Sequence, residues 1–160
     1  MKTLYLVRHA KSDWTHDVSD FERPLNERGH SVAPKMAKYL LDNNFDIEQF
    51  ISSPAKRALT TCRYFAETFG NSAIKKVQDL YEPHDGDFLE TILNIDDQFS
   101  SAALFSHNPT ISHFASSLTS EFLSFPTCAV AVFEINCHEW SQFEGAHKTL
   151  THFLLPKEIL

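Results

Sequence analysis

A short apolar run opens the chain and predicts a buried strand. The five residues from Thr3 to Val7 are apolar or prone to β structure, and Arg8 and His9 follow them directly. A continuous run of this kind, without polar alternation, is typical of a strand in a parallel sheet that is covered on both faces. We therefore predict a first strand that ends in a cation and an imidazole.

The rest of the chain alternates short apolar runs with stripes of helical spacing. Runs rich in β-branched and aromatic residues predict further strands, at residues 47–52, 74–80, 102–106, 128–135 and 149–154. Apolar residues three and four positions apart predict helices between them. No repeat, low-complexity tract or linker interrupts this order. The chain is therefore predicted to form one domain over residues 1–160, of the α/β class: a three-layer sandwich with a mostly parallel central sheet and helices on both faces.

Polar residues mark the predicted starts of the helices. Residues that can cap a helix precede four of the stripes; they are Asn26, Ser53, Asp87 and Asn108. A proline follows Ser53 and Asn108 directly, at the helical position that tolerates proline best. Pro34 lies within the first stripe, so that helix is predicted to be kinked or to start late.

Composition limits the classes of protein to which the chain can belong. Hydrophobic residues make up 42% of the chain and 14 residues are phenylalanine, which excludes a disordered polymer. No apolar run is long enough to span a bilayer, and no signal peptide is recognised. Three cysteines without metal-type spacing predict reduced thiols in a cytoplasmic protein. The net charge of −7 disfavours nucleic acid as a partner, so any anion site must be a local basic pocket.

Three predicted strands lead directly into cationic or imidazole side chains. Arg8 and His9 follow the first strand, Arg57 lies just after the second, and His107 follows the fourth. Parallel strands bring their carboxyl ends to one edge of a sheet, where α/β proteins bind their ligands. Taken singly, Arg8 and His9 could be a solvated strand end, and His107 could be a satisfied core histidine. Taken together, these residues favour a site for an anion.

Arg57 is the most informative of these residues. It is predicted to lie about one turn into its helix, beside Lys56, where a positive charge opposes the helix dipole at a cost of ~0.3–1 kcal/mol. An anion bound over the helix N-terminus would explain such a placement. The alternative is a structural salt bridge to a nearby carboxylate, Asp20 or Glu22.

Four motifs in order carry a resemblance to a known family. They are RHAKS at residues 8–12, RPLNERG at 23–29, SSPAKRALTT at 52–61 and SHNP at 106–109. Together they resemble the histidine phosphatase superfamily, whose fold is phosphoglycerate-mutase-like. The short chain and its closing residues 153–157 are similar to the small SixA-type phosphohistidine phosphatases.

The resemblance implies a role for each matching residue. His9 would be the nucleophile that becomes phosphorylated, and Arg8, Arg57 and His107 would bind the phosphoryl oxygens. Ser12 and Asn108, in the same motifs, are further phosphate-binding candidates. No metal or organic cofactor is implied, in agreement with the absence of metal-ligand spacing among the histidines. The chemistry agrees, because arginine forks suit phosphoryl oxygens and a neutral imidazole can attack in line.

The general acid is where the sequence departs from the mutases and phosphomonoesterases of the superfamily. Those members carry a carboxylate that protonates the leaving oxygen, often just after the third strand. Glu82 could supply it, or it could be a solvated loop residue, which we favour. The short chain leaves no room for the substrate-capping insertions of larger relatives, so we expect an open pocket.

The sequence thus predicts a cofactor-independent phosphatase that acts through a phosphohistidine intermediate. Protein phosphohistidine is the favoured substrate, because an open pocket suits a phosphorylated residue on a protein surface. One alternative is a phosphatase for small phosphomonoesters. The other, of a different class, is a catalytically idle phosphate-binding module. The expected partner is a phosphorylated protein or a small phosphorylated substrate, and neither nucleic acid nor membrane is expected.

Overall fold

The computed structural model describes all 160 residues and is built around a sheet of six strands. The strands are Lys2–Arg8 (β1), Gln49–Ser52 (β2), Ile74–Lys76 (β3), Ser101–Ser106 (β4), Val130–Ile135 (β5) and Lys148–Leu154 (β6). Their order across the sheet is β3-β2-β4-β1-β5-β6. The strands β3, β2, β4 and β1 are parallel to one another. In contrast, β5 is antiparallel to β1, and β6 is antiparallel to β5. The prediction of a mostly parallel sheet is confirmed.

Helices cover both faces of this sheet. They are Glu27–Asp42 (α1), Lys56–Thr68 (α2), Asp85–Leu93 (α3), Thr110–Ser117 (α4) and Pro156–Ile159 (α5), with short 3-10 helices at Asp20–Glu22, Gln78–Leu80 and Trp140–Gln142. Alternate side chains of β1 enter two separate cores. Leu4 and Leu6 pack with side chains of α3 and α4, whereas Tyr5 and Val7 pack with side chains of α1 and α2. This is the predicted three-layer α/β sandwich.

The first helix begins at its predicted cap. Asn26 Oδ1 accepts a hydrogen bond from Gly29 N (2.8 Å), and α1 starts at Glu27. A late start because of Pro34 is wrong, since this proline lies inside the helix. Gly29 has a packing role, because a Cβ atom here would lie 2.2 Å from the carbonyl oxygen of Lys11. The first turn of α1 therefore sits directly on the segment that follows β1.

The second helix starts two residues later than predicted. It begins at Lys56 with Ala55 as its N-cap, so Ser53 is not the cap. Ser53 instead extends the line of β2: its N–H donates to Phe105 O (2.9 Å), and its hydroxyl accepts from Ala55 N (3.2 Å). Arg57 is consequently the second residue of α2 and does not lie a full turn inside it.

Two further helix starts differ from the prediction. The third helix, α3, begins at Asp85, two residues before the predicted start at Asp87. The Asp87 carboxylate accepts a hydrogen bond from His84 N (2.7 Å), so it caps from within the first turn. The fourth helix begins at Thr110, and Asn108 is not its cap because its side chain bonds elsewhere.

The segments predicted least well are those held by distant contacts. Residues 74–80 do not form one strand, because β3 ends at Lys76 and a 3-10 turn then carries Leu80 into the core. The loop after β1 contains an unpredicted 3-10 helix, Asp20–Glu22. The three cysteines are buried and unpaired. No helix combines the length and the apolar character that crossing a membrane requires.

Candidate active site

The carboxyl ends of three adjacent strands form one wall of a cleft. In the sheet register Arg8 of β1 lies beside Ser106 of β4, and Ser52 of β2 lies beside Phe105 of β4. The residues after these strands therefore meet, as predicted. The cleft has a volume of about 370 Å³ and is lined by Arg8, His9, Lys11, Ser12, Trp14, Asp20, Arg23, Arg57, His107, Asn108 and Thr127. All of the predicted site residues except Glu82 line this cleft; they are His9, Arg8, Arg57, His107, Ser12 and Asn108.

His9 is buried and held in one tautomer. Its Nδ1 lies 2.7 Å from the carbonyl oxygen of Ala10, which can only accept a hydrogen bond, so Nδ1 carries the proton. The lone pair of the neutral ring is then on Nε2. The Ala10 N–H in turn donates to Thr61 Oγ1 (3.0 Å), which ties this segment to α2. The imidazole is thus positioned by backbone and presents Nε2 as a nucleophile.

Burial and positive charge keep His9 neutral. Burial lowers its pKa to about 3; the bond to Ala10 opposes this shift, and the charges of Arg57 and Arg8 add to it. The pKa of His107 is also lowered to about 3, first by burial and then by His9. Both imidazoles are therefore neutral near neutral pH, and a neutral ring, with one nitrogen lone pair free, is the form that can attack phosphorus.

His107 lies against His9 but is only partly hydrogen-bonded. The ring centroids are 5.1 Å apart, and His107 Nε2 is 2.8 Å from Ser53 Oγ. Its Nδ1 is buried without a partner. A satisfied core histidine would have both ring nitrogens paired, so this geometry does not fit the alternative considered from the sequence.

Arg8 and Asn108 share an anchor on the loop that leads to β5. Arg8 donates from one terminal nitrogen to Phe125 O (3.0 Å), and Asn108 Nδ2 donates to the same oxygen (2.8 Å). Asn108 Oδ1 also accepts from Ser112 Oγ (2.5 Å). The amide of Asn108 is thereby committed to the scaffold, whereas the Nε of Arg8 is buried without a partner. Phosphate binding by Asn108 stays a prediction that these contacts do not favour.

Arg57 forms the salt bridge that was the alternative to anion binding, and it also lines the cleft. Its two terminal nitrogens donate to the carbonyl oxygen (2.7 Å) and to Oδ2 (3.0 Å) of Asp20. Tyr81 donates to the same carboxylate oxygen (2.8 Å), and Arg23 pairs with the other. Although burial raises the pKa of Asp20, the bonds from Tyr81 and Arg23 and the charge of Arg57 lower it to about 2. Arg57 therefore forms the ion pair with Asp20 and lines the cleft at the same time.

Arg23 is a cleft residue that the sequence analysis did not assign to the site. It is buried, its Nε donates to Ser12 Oγ (2.9 Å), and its guanidinium lies 3.6 Å from the ring centroid of Trp14. The cleft therefore holds three guanidinium groups rather than two. The motif that contains Arg23 could have marked it as a site residue. However, its loop has no periodic pattern from which the direction of the Arg23 side chain could be predicted. Ser12, a predicted phosphate ligand, helps to hold Arg23 together with Asp20 and Trp14.

Glu82 lies in an adjoining recess. The recess, of about 380 Å³, is lined by Glu82 together with residues of the cleft, including Arg57 and His107. The Glu82 side chain is exposed and has no hydrogen-bond or ion-pair partner, and its backbone has a positive φ of 51°. Nothing fixes this carboxylate toward His9, which agrees with the interpretation of Glu82 as a solvated loop residue.

Comparisons with known proteins place this arrangement in a family. Residues 4–103 match the histidine phosphatase superfamily (branch 1). An uncharacterized protein of Mycobacterium tuberculosis is 29% identical over 162 residues, which cover 94% of this chain and all of the relative. A solved structure of a putative phosphohistidine phosphatase SixA from Agrobacterium tumefaciens is 26% identical, with a TM-score of 0.82 over 97% of this chain and 98% of the other.

A second solved structure shares the fold. It is a protein histidine phosphatase SixA complexed with tungstate, which superposes with a TM-score of 0.85 over 99% of both chains at 21% identity. The matched family residues, the strand-end cleft and these two likenesses agree with the motifs found in the sequence. The chain belongs to the histidine phosphatase superfamily (branch 1) and is of the SixA type.

Proposed function

We propose that residues 1–160 form one cofactor-independent phosphatase domain that acts on protein phosphohistidine through a phosphohistidine intermediate on His9. Membership of the family supports a phosphatase. The observation that carries the specific mechanism is the state of His9, which is buried, neutral and bonded through Nδ1, with its Nε2 lone pair free among three guanidinium groups.

The first step transfers the phosphoryl group to the enzyme. His9 Nε2 forms a bond to phosphorus while the bond between phosphorus and the substrate's imidazole nitrogen breaks, and that nitrogen keeps the electron pair and takes a proton from water. In the transition state the charge is spread over three equatorial oxygens. Arg8 and Arg57 supply fixed donors for these oxygens. The unpaired Nδ1 of His107 supplies another in the tautomer in which the Ser53 hydroxyl donates to Nε2 and Nδ1 carries the proton.

The second step releases phosphate. Water attacks phosphorus, the bond to Nε2 breaks, and His9 returns to the neutral form that its environment favours. The proton lost by water leaves to solvent. Because burial and the arginines disfavour a protonated His9, the free enzyme is ready for the next cycle near neutral pH.

The leaving group is the reason to favour phosphohistidine over a phosphoester. An alkoxide is a strong base and needs a proton in the transition state, a contribution typically worth ~10²–10⁴-fold. An imidazole leaving group needs this less. The exposed Glu82 carboxylate, with nothing to hold it, is poorly placed to act as a strict acid.

A panel of substrates tests the proposal. Turnover is measured on a phosphohistidine protein, a phosphoserine peptide and small sugar phosphates, with and without exhaustive chelation of metals. We expect the phosphohistidine protein to be hydrolysed fastest, chelation to have no effect, and an acid-labile phosphoryl group to be trapped on His9. Faster hydrolysis of small esters would favour the phosphomonoesterase alternative, and absence of turnover and of trapping would favour the idle binding module.

A further inference from the structure

A second groove adjoins the catalytic cleft and is lined by cations. It has a volume of about 190 Å³, and its lining includes Lys11, Arg28 and Lys157 together with Val32 and Pro126. Lys11 lines both the groove and the cleft, and so does Thr127. We call this surface the basic groove. Because Lys11 and Thr127 belong to both, the basic groove is continuous with the cleft where the phosphoryl group would lie.

The three cations of the basic groove are exposed and have no acidic partner. Lys11, Arg28 and Lys157 take part in none of the salt bridges of the molecule. Glu27 and Glu158, their neighbours in sequence, do not line the groove. The chain carries a net charge of −7, so three unpaired cations around one groove are a local reversal of the overall charge.

The backbone brings these cations together from separate elements. The Asn26 N–H donates to the carbonyl oxygen of Lys11 (2.9 Å), and Gly29 allows the first turn of α1 to lie against that same oxygen. Arg28 is the second residue of α1, where its charge opposes the helix dipole, and Lys157 is the second residue of α5. An anion in the groove would relieve the repulsion among these charges.

We propose that the basic groove binds carboxylates of the substrate protein, so that the enzyme prefers a phosphorylated residue with acidic residues beside it. Arg28 and Lys157 line the groove but not the cleft, so a carboxylate that meets them lies beyond the phosphoryl site. An extended protein segment can occupy both places at once. A small phosphorylated acid, whose carboxylate is a few bonds from its phosphate, stays within the cleft. This inference rests on the proposed function and extends it to substrate choice.

The test compares two synthetic phosphohistidine peptides. One carries Glu and Asp on both sides of the phosphohistidine, and the other carries Gln and Asn at the same positions. The enzyme variant is Arg28→Gln combined with Lys157→Gln. The control variant, Arg63→Gln with Lys35→Gln, removes the same residue types at exposed, unpaired positions of α2 and α1 outside the groove.

For the wild type we expect kcat/KM to be roughly threefold to tenfold higher on the acidic peptide than on the amide peptide at low salt, with the difference lost at high salt. The groove variant should lose this preference, and the control variant should keep it. Equal preference in the groove and control variants would overturn the inference. If Arg28 and Lys157 affected phosphoserine but not the acidic peptide, a small phosphorylated acid would be the ligand and the protein assignment would be wrong.

A binding measurement separates this inference from the proposed function. Fluorescence anisotropy of both labelled peptides is recorded with the His9→Ala variant, with and without the two groove substitutions. Tighter binding of the acidic peptide, abolished by the groove substitutions, supports the basic groove even if the wild type hydrolyses neither peptide. Turnover of phosphohistidine without any acidic preference in binding would leave the proposed function standing and overturn the groove.

Discussion

The two walls of the catalytic cleft are held by different kinds of contact. The strand wall, formed by Arg8, His9 and His107, is fixed largely through carbonyl oxygens of the backbone and a buried serine. The loop wall, formed by residues 12–23, is held to the rest of the cleft largely by side chains, of which Arg57 also reaches the backbone carbonyl of Asp20. Its Asp20 side chain is 50% exposed and bonds to Arg57, Arg23 and Tyr81.

This difference suggests that one wall serves the reaction and the other serves the entry and release of the ligand. A nucleophile must stay within a fraction of an ångström of its line of attack, and backbone anchors in a sheet provide that. Ion pairs open to solvent typically contribute only ~0–1 kcal/mol, and the Asp20 carboxylate that pairs with Arg57 and Arg23 is half exposed, although both arginines are buried. The strand wall is therefore suited to the proposed reaction, and we expect the loop wall to admit and release the anion.

Removal of His9, the proposed nucleophile, should have the largest effect. We expect His9→Ala to abolish turnover, because no other neutral imidazole nitrogen in the cleft is held as His9 is. The variant should still fold, since His9 lies at the end of β1 and not within either apolar core. Thermal unfolding and turnover of the purified variant check both points, with His113→Ala at an exposed position as the control. Retention of more than a few per cent of activity would contradict the assignment.

Arg57 joins the two walls, and its loss should have the next largest effect. By analogy with the loss of an oxyanion donor, Arg57→Ala should lower turnover roughly 10²–10³-fold and weaken inhibition by vanadate. The helix dipole alone would predict a small gain in stability. The bonds to Asp20 reverse that expectation, so we expect a lower melting temperature. Unchanged vanadate affinity, beside an unaffected Arg63→Ala control, would count against Arg57 as a ligand.

The strand wall should also make stability depend on pH. The pKa of His9 and of His107 is about 3 in the folded protein, against 6.5 for a free imidazole. Between these values the unfolded chain binds protons that the folded chain does not, so the free energy of unfolding falls as pH falls from 6.5 toward 3. The slope is at most about 1.4 kcal/mol per pH unit for each histidine. The free energy of unfolding, measured with urea across this range, should depend more steeply on pH in the wild type than in a His9→Gln, His107→Gln double variant. Equal slopes would refute the argument that burial lowers the two pKa values.

A substitution in the loop wall should change vanadate affinity less than Arg57→Ala does, and in the opposite direction. Asp20→Asn removes the negative charge that competes with an anion for Arg57 and Arg23. We expect vanadate to bind roughly threefold to tenfold more tightly, a modest gain because the carboxylate is half exposed. Inhibition constants for the wild type and the variant measure this directly. Weaker binding would mean that Asp20 acts mainly by orienting the arginines.

Glu82 should give the smallest effect on the favoured substrate. Glu82→Gln is expected to change turnover of phosphohistidine less than about twofold, because an imidazole leaving group needs little acid assistance. Alkyl phosphates should be poor substrates for the wild type. A loss of orders of magnitude on alkyl phosphates, together with slow turnover of phosphohistidine, would favour the phosphomonoesterase alternative.

The strand wall was predictable from the sequence because its information is local. An apolar run sets β1, and the parallel order of strands brings its end beside that of β4. The start of α2 was predicted too early because serine often caps a helix. In this protein the Ser53 hydroxyl instead contacts His107, which lies 54 residues away. The sequence offered anion binding and a salt bridge as alternatives at Arg57, but it did not show that the salt bridge would lie in the cleft, where the two are compatible.

The loop wall was mostly beyond the reach of the sequence. Asp20 is held by Arg57 and Tyr81, which lie 37 and 61 residues further along the chain. No periodic pattern encodes such contacts, and the 3-10 helix that carries Asp20 is too short to leave a stripe. Arg23 was visible in its motif, but its direction into the cleft depends on Ser12 and Trp14.

The stacking of Trp14 on Arg23 has an optical consequence. The chain has two tryptophans: Trp14 is 77% exposed at the mouth of the cleft, and Trp140 is fully buried in a core. Indole emission depends on the polarity and charge next to the ring, so Trp14 should emit at longer wavelength than Trp140 and should respond when Arg23 changes partner. Trp140 supplies a constant background. If the cleft binds an anion as proposed, stopped-flow measurements of Trp14 emission should follow its arrival and departure without any label.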